Sequence, residues 1–537
     1  MKRPGFSAFL MIIVTLVIAS CAKRGTPDGG PEDLDPPKYV KAKPENFTTN
    51  FDSKEIRIYF DEYIKMNDPQ RQIIISPPMD PRPEITPLGT ASKSIRINIT
   101  DTLQPNTTYT INFGRSITDN NEGNPLDYFT YAFSTGPYID SLTVSGNVSD
   151  ALLKVPDPFI SVMLYEVDST YTDSAVYNKL PRYITNTLDS ATTFQLKNLK
   201  EGTYKLVGMR DVNNNYTFEP GTDKIAFADE YITIPTASVF DLILFKELDN
   251  FKFSKPSQKS AQHLMFGYTG KPQPDSLKID LLTPAPEGFT SRITKDAEKD
   301  TLHYWYKPAI ETDTLKFIAE MPGYKDTLIS RLKEMDRDSL QFTFQPRSAI
   351  NFAEDFKVIP NIPLMQTNDS LIRLTDSDTL PVPFRREYDQ WKNEFIVSFD
   401  KKESQTYRFT ALPGAFTDFF GKQNDTLKAQ LRTQTYADYG NVVINLQNVK
   451  KFPVIVQLTS EKGIIQTEKY STGETSIKFN NVKPGKYFLR LIYDTNENRI
   501  WDSGSFLERR QAEKVVYFPD VLDVRANWDV TQAFNVE

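Results

Sequence analysis

Two stretches of the 537-residue chain place oxygen-bearing side chains at the spacing of a cation loop. Asp211, Asn213 and Asn215 stand on alternate residues, and Asp494, Asn496 and Asn498 repeat the pattern. Counted from the leading Asp, both carry an aromatic at the eighth place (Phe218, Trp501), a carboxylate at the ninth (Glu219, Asp502) and a glycine at the eleventh (Gly221, Gly504). A Ca²⁺ loop begins this way, because a hard cation takes several oxygens at once. Neither stretch has the glycine at the sixth place or the Glu at the twelfth that complete such a loop. The same residues suit an Asx-turn loop, whose side chains bond their own backbone over a packed Phe218 or Trp501. Ca²⁺ at these loops is the only cofactor the residues offer.

Other chemistry has little to work with. The chain holds two histidines, His263 and His303, and one cysteine, Cys21. Neither histidine has a partner at ligand spacing, so both read as strand residues, and no nucleophile–base pair stands out. The expectation is a protein that is not an enzyme. Zinc sites built on His and Cys are excluded on the same ground. The net charge of −7 disfavours a nucleic-acid partner. Tyr304-Trp305-Tyr306 reads either as alternating strand positions or as an aromatic platform for a sugar.

The elements that must carry these residues are short strands. Pro is abundant at 36, and aromatics make up 12%, a mixture that suits strands and turns better than long helices. Ile56, Ile58 and Phe60 alternate with polar neighbours, as do Ile95, Ile97 and Ile99, and Tyr109, Ile111 and Phe113. Turn clusters lie between them, and the fold class is all-β, in tandem sandwiches. The expected division is a signal segment at 1–20, a tether at 21–37, and sandwiches at 38–136, 138–250, 251–348, 349–435 and 438–537. The chain also repeats itself. Val482-Lys483-Pro484-Gly485-Lys486-Tyr487 matches Leu199-Lys200-Glu201-Gly202-Thr203-Tyr204, and Phe416-Thr417-Asp418 with Gly421 echoes Ile117-Thr118-Asp119 with Gly123. Gly202 is expected to supply the unusual backbone angle of a tight turn.

The amino terminus has a positive Lys2-Arg3, an apolar run from Phe9 to Ile18, and small residues Ala19 and Ser20 before Cys21. The run is too short to span a bilayer but suits a signal peptide. The pattern resembles a lipobox, with Ile18 where leucine is usual. The resemblance implies that Cys21 is lipidated, carrying palmitate-type acyl chains that anchor the mature chain.

Beyond it, Gly25-Thr26-Pro27, Gly29-Gly30-Pro31, Asp33 and Pro36-Pro37 resemble a family of Bacteroidota lipoproteins. Their first domain is an Ig-like module of the kind found in a bacterial S-layer protein. Leu103 to Tyr109 and the closing Phe133-Ser134-Thr135-Gly136 are similar to that module, and the Leu-x-x-Gly-x-Tyr turns look like transthyretin-like sandwiches of carboxypeptidase regulatory-like domains. The acidic Glu32-Asp33 resembles the signal that exports lipoproteins of that phylum to the cell surface, although Lys23 and Arg24 take the places beside the cysteine. Asp-Thr-Leu or Asp-Ser-Leu recurs with its hydroxyl at Thr102, Ser141, Ser276, Thr301, Thr314, Thr327, Ser339, Ser370, Thr379 and Thr426. It resembles the O-glycosylation acceptor of the Bacteroidota, and it equally suits turn-to-strand grammar, Asp in the turn and Leu toward the core.

Together these imply a lipid-anchored outer-membrane protein, on the cell surface rather than the periplasmic face. Its expected function is that of a multidomain binding scaffold on an outer-membrane β-barrel protein or other envelope lipoproteins, in barrel assembly or transport. The alternative is a surface glycan-binding lipoprotein of a nutrient-uptake system.

Overall fold

The structure is a computed structural model that describes residues 33–187 and 192–536. Cys21 and the apolar run before it lie outside the described residues. Nearly all regular structure is strand, divided among small sheets. No helix of the described residues is long and apolar enough to cross a membrane. The described residues fall into two units, one of 33–142 with 183–187 and 197–200, the other of 143–182, 192–196 and 201–536.

In the first unit the alternation read from sequence becomes two facing sheets. The strand Glu55–Met66 pairs antiparallel with Ser92–Asn98, setting Ile56 opposite Ile97 and Ile58 opposite Ile95. The second sheet is Ile74–Ser76, Thr108–Asn112 and Thr130–Ser134. Ile56, Ile58, Ile95, Ile97, Ile111 and Phe113 share one buried core; each such side chain contributes about 1.5–3 kcal/mol of burial. Tyr109 pins the turn before its own strand, its hydroxyl accepting from Gln104 N at 2.9 Å.

Residues 349–435, in the second unit, repeat this plan. Tyr407 accepts from Lys402 N at 2.7 Å, five residues back as for Tyr109. Thr433 Oγ1 accepts from Gln405 N at 3.0 Å, as Thr135 Oγ1 accepts from Thr107 N at 2.9 Å. Asp119 gathers the backbone N–H groups of Asn121, Glu122, Gly123 and Asn124. Asp418 gathers those of Phe420 and Lys422. Gly123 and Gly421 then turn at φ +86° and +88°, where only glycine sits without strain. The sequence echo is therefore a structural repeat.

The sandwiches at 138–250 and 438–537 form a second repeated pair. In each, the opening and closing strands run parallel: Val239–Leu244 beside Leu142–Asp150, and Asp529–Asn535 beside Gly440–Gln447. The Gly-x-Tyr strands, Gly202–Arg210 and Gly485–Tyr493, pair antiparallel with Ser161–Glu166 and Val454–Thr459. Gly202 has the unusual backbone angle expected of it, and in both modules a ring lies beside the glycine. A Cβ on Gly202 would meet the ring of Tyr204 at 3.3 Å, and one on Gly485 the ring of Tyr487 at 3.6 Å. In both modules the tyrosine two residues on lies over the glycine, and Gly202 sits at φ +154°, a positive angle that favours glycine.

Residues 251–348 make the third sandwich in chain order. One sheet contains His263–Thr269, Thr301–Lys307 and Thr290–Lys295, the other Lys278–Leu281, Thr314–Met321 and Tyr324–Arg331. Leu264, Phe266, Leu302, Tyr304, Tyr306 and Phe317 fill the space between.

Candidate functional site

The two Asp/Asn loops close on themselves in the same way. Asp211 accepts from Asn215 N at 3.3 Å and Tyr216 N at 2.8 Å. Asp494 accepts from Asn498 N at 3.1 Å and Arg499 N at 2.8 Å. Asn213 and Asn215 each donate a side-chain N–H to Glu219, at 2.8 and 2.9 Å. Asn496 and Asn498 donate to Asp502, at 2.7 and 2.6 Å. Asn215 and Asn498 spend their carbonyl oxygens on Thr217 N and Ile500 N. A further carboxylate closes each loop: Asp223 accepts from Val212 N and Glu219 N, Glu513 from Thr495 N and Asp502 N. Burial pushes the Asp211 carboxyl above its ordinary value, against the pull of the Tyr216 and Asn215 N–H groups.

This is the Asx-turn arrangement, with Phe218 buried beneath the first loop. Trp501 is half-buried and donates its ring N–H to Glu513 O at 3.1 Å. Among the described residues no group of three or more His, Cys, Asp or Glu is placed to hold a metal ion. Because the Asp211, Asn215, Asp494 and Asn498 oxygens already accept from backbone N–H groups, Ca²⁺ or a chelator is expected to leave the thermal midpoint of unfolding unchanged, as read by calorimetry. A midpoint that rises with Ca²⁺ and falls with chelator would restore the calcium reading.

The loops differ in length. Asp223 stands at the thirteenth place of the first, but Glu513 at the twentieth of the second. The extra segment joins the second and fifth sandwiches. Ser503 Oγ donates to Lys246 O at 2.5 Å. Phe506 N bonds Glu247. Arg509 donates to Asp173 at 2.9 Å and to the Tyr231 hydroxyl at 2.6 Å. Gln511 donates to Phe227 O at 3.0 Å and Asp229 at 2.7 Å.

The ring of Phe506 packs edge-on to Phe227 at 5.3 Å. Beside them lies Lys205, wholly buried, its ammonium donating to Ala228 O at 2.6 Å. That ammonium lies 4.9, 5.8 and 6.0 Å from the ring centroids of Phe227, Tyr231 and Phe506. Burial lowers its pKa, while the rings and carbonyl favour the charge. A Cβ on Gly504 would come within 2.6 Å of the Phe245 ring, so the eleventh-place glycine here admits a neighbouring side chain.

The second joint uses the residues that sequence reasoning left as plain strand positions. His263 and Trp305 face each other across paired strands, and His303 lies opposite Met265. The rings of His263 and Trp305 stack at 3.5 Å and 17°. His263 Nε2 lies 2.9 Å from His303 Nδ1. The outer nitrogens each meet a carboxylate: His263 Nδ1 to Asp338 and His303 Nε2 to Asp296, both 3.1 Å. Trp305 also packs with Ile362 and Phe419 from the 349–435 sandwich. Tyr304 and Tyr306 lie in the core of their own sandwich. All three aromatics of Tyr304-Trp305-Tyr306 are thus buried, and none offers a ring face to a sugar. The strand itself carried a signal: Leu302, Tyr304 and Tyr306 on one parity and Trp305 on the other mean burial on both faces.

The ten Asp-Thr/Ser-Leu hydroxyl residues divide simply. Thr102, Ser141, Thr327, Ser339, Ser370, Thr379 and Thr426 are exposed, Ser276, Thr301 and Thr314 half-buried. The leucines behind them are buried or half-buried except Leu380. Six of the ten sites thus pair an exposed hydroxyl with an inward leucine, an arrangement compatible with either reading.

Residues 33–135 match the family model of the bacterial Ig-like domain. No curated protein matches the chain. Among solved structures, the chain is similar to the S-layer protein rSbsC at 12% identity and a TM-score of 0.15, covering 91% of this chain and 67% of that one. It is similar to the major pilin subunit of Bacillus cereus at 12% identity and a TM-score of 0.13, over 74% and 99%. A three-domain tandem of titin, I9–I11, is 10% identical with a TM-score of 0.12, over 53% and 100%. The class is that of all-β proteins built from Ig-like sandwiches. Its first module is a bacterial Ig-like domain.

Proposed function

We propose that the chain is a non-catalytic lipoprotein of the Bacteroidota outer membrane, anchored at Cys21. Its sandwiches dock on an outer-membrane β-barrel complex of assembly or transport, at the cell surface. One observation carries this reading: the residues with chemistry to offer are spent on joining modules. Both histidines lie at the joint between the third and fourth sandwiches, and a buried lysine with the extended Asp/Asn loop lies at the joint between the second and fifth. A chain that invests its ionisable groups in fixing one module against another serves as a framework. The exposed hydroxyls of the Asp-Thr/Ser-Leu sites support surface glycans on the same molecule.

Purification of the tagged protein from its native membrane in mild detergent is expected to bring a β-barrel partner with it. The intact mass of the same preparation is expected to exceed lipid plus polypeptide by the sugars. Arrival alone, with measurable glycan binding, would overturn the scaffold reading, and an unmodified mass would remove the glycans.

A further inference from the structure

Asp338, His263, His303 and Asp296 form a line of three hydrogen bonds, and the proton count of that line has a consequence. Each gap needs one proton. Ionised carboxylates supply none, and two neutral imidazoles supply two, so one of the three gaps is left with facing lone pairs. One imidazolium fills all three. A second would set N–H against N–H across the 2.9 Å between His263 Nε2 and His303 Nδ1, which the geometry cannot hold.

The line lies within residues 251–348 and borders the joint with the fourth sandwich. Asp338 lies in the segment that leads from the third sandwich into the fourth, and it also accepts from Ser260 Oγ at 2.7 Å. In that segment Asp336 O accepts from Ala261 N at 3.0 Å, and Arg337 stacks on Phe420 at 4.3 Å. Asp296 follows Lys295, whose N–H donates to Trp391 O at 2.7 Å, and this bond does cross the joint. The imidazoles border a cavity of about 230 Å³, into whose lining Lys259, Lys295 and Lys392 also enter, from the third and fourth sandwiches. The cations facing the pair are thus these three lysines, with Arg337 behind, and the anions are Asp296 and Asp338.

We propose that the histidine pair is an acid-sensitive clasp: protonation of the pair loosens the third sandwich from the fourth. Trp305, stacked on His263 and packed under Ile362 and Phe419, is the element that transmits it.

The direction follows from burial. It holds both rings below their ordinary value of 6.5, and the positive charge of a protonated His303 adds to burial in bringing His263 down to about 3, against the Asp338 hydrogen bond. The first proton completes the line, which offsets part of the lost hydration but not all. When the joint opens, the rings regain water and their ordinary affinity, so the open form binds more protons at mildly acid pH. The clasp is therefore at full strength above about pH 6.5 and weakens as the pH falls below it.

With only two histidines in the chain, selective ¹⁵N labelling of histidine rings reports this pair alone. In the full-length protein in detergent, the rings are expected to titrate below pH 6.5 in two separated steps. Between pH 6.5 and the midpoint of the first step, amide exchange at Ala261 and Lys295, corrected for intrinsic rate, is expected to quicken about tenfold for each pH unit by which that midpoint lies below 6.5. In His263→Gln/His303→Gln, which keeps polar side chains but cannot charge, that acceleration is expected to vanish. Two rings titrating independently near 6.5, or acceleration unchanged in the double variant, would overturn the proposal. If the variant fails to fold, the wild-type ring titration alone decides. The proposal is independent of anchoring and partner, so its failure leaves the scaffold reading standing.

Discussion

Trp305→Ala is expected to destabilise the third and fourth sandwiches by about 3–5 kcal/mol, the usual cost of deleting a buried large aromatic. Trp305 is 2% exposed, and its ring touches two modules at once, His263 on one side and the Ile362–Phe419 patch on the other. The truncation removes transfer free energy and leaves a void between two packed sandwiches that relaxation fills only in part. It also bares the His263 ring, so water enters beside a line of hydrogen bonds that burial now protects. Amide exchange in the strands His263–Thr269 and Thr301–Lys307, in denaturant, measures the loss. Trp528→Ala is the control, since Trp528 is 57% exposed and surface substitutions usually change stability by no more than about 0.5 kcal/mol. A cost at Trp305 as small as at Trp528 would mean that the joint does not form.

Phe506→Ala is expected to part the second and fifth sandwiches, at a net cost of about 2–4 kcal/mol. Two effects oppose each other. Phe506 is 1% exposed and packs on Phe227, so its loss should carry the full aromatic penalty. But the ring also walls in the Lys205 ammonium, and admitting water there returns part of the desolvation already spent. The packing term is the larger, because Lys205 keeps its bond to Ala228 O in either case. Phe506→Met should restore most of the stability, being long, apolar and adaptable. Differential unfolding monitored by exchange at Phe245, whose N–H bonds Ile225 O, separates the outcomes. A neutral Phe506→Ala would show that Arg509 and Gln511 alone hold the two modules.

Much of the fold was written in local pattern. The alternation of Ile56, Ile58 and Phe60 with polar neighbours specifies a strand with one wet face, and the structure sets it in a sheet edge to edge with Ser92–Asn98. The repeats were legible too, because the residues that build a turn are constrained by backbone geometry: Asp119 and Asp418 each gather N–H groups ahead of a left-handed glycine. The Asp/Asn loops were legible as loops, and their alignment extended to the ninth-place carboxylate that the amides bind.

The joints were not legible in the same way. His263 and His303 are 40 residues apart, and only the register of two paired strands brings them together. Register is set by the core on the opposite face, by Leu264 and Phe266 against Leu302 and Tyr304, and not by the histidines themselves. The Phe506 joint had a visible sign in the longer second loop, but a longer loop alone does not say what it rests on. Gly202, by contrast, was legible from sequence as a residue of unusual backbone angle. A tight-turn angle was the natural reason for a glycine there, and the ring of Tyr204 supplies another.

The contact of the fifth sandwich with the second has a mechanical consequence. The polypeptide between them returns to its starting point, so the third and fourth sandwiches sit on a closed bight of chain. Tension applied between residue 143 and residue 536 would run straight across the Arg509–Asp173 and Phe506–Phe227 contacts. The intervening stretch would stay slack. The histidine joint, which lies on that stretch, would feel no load until the first contact had given way.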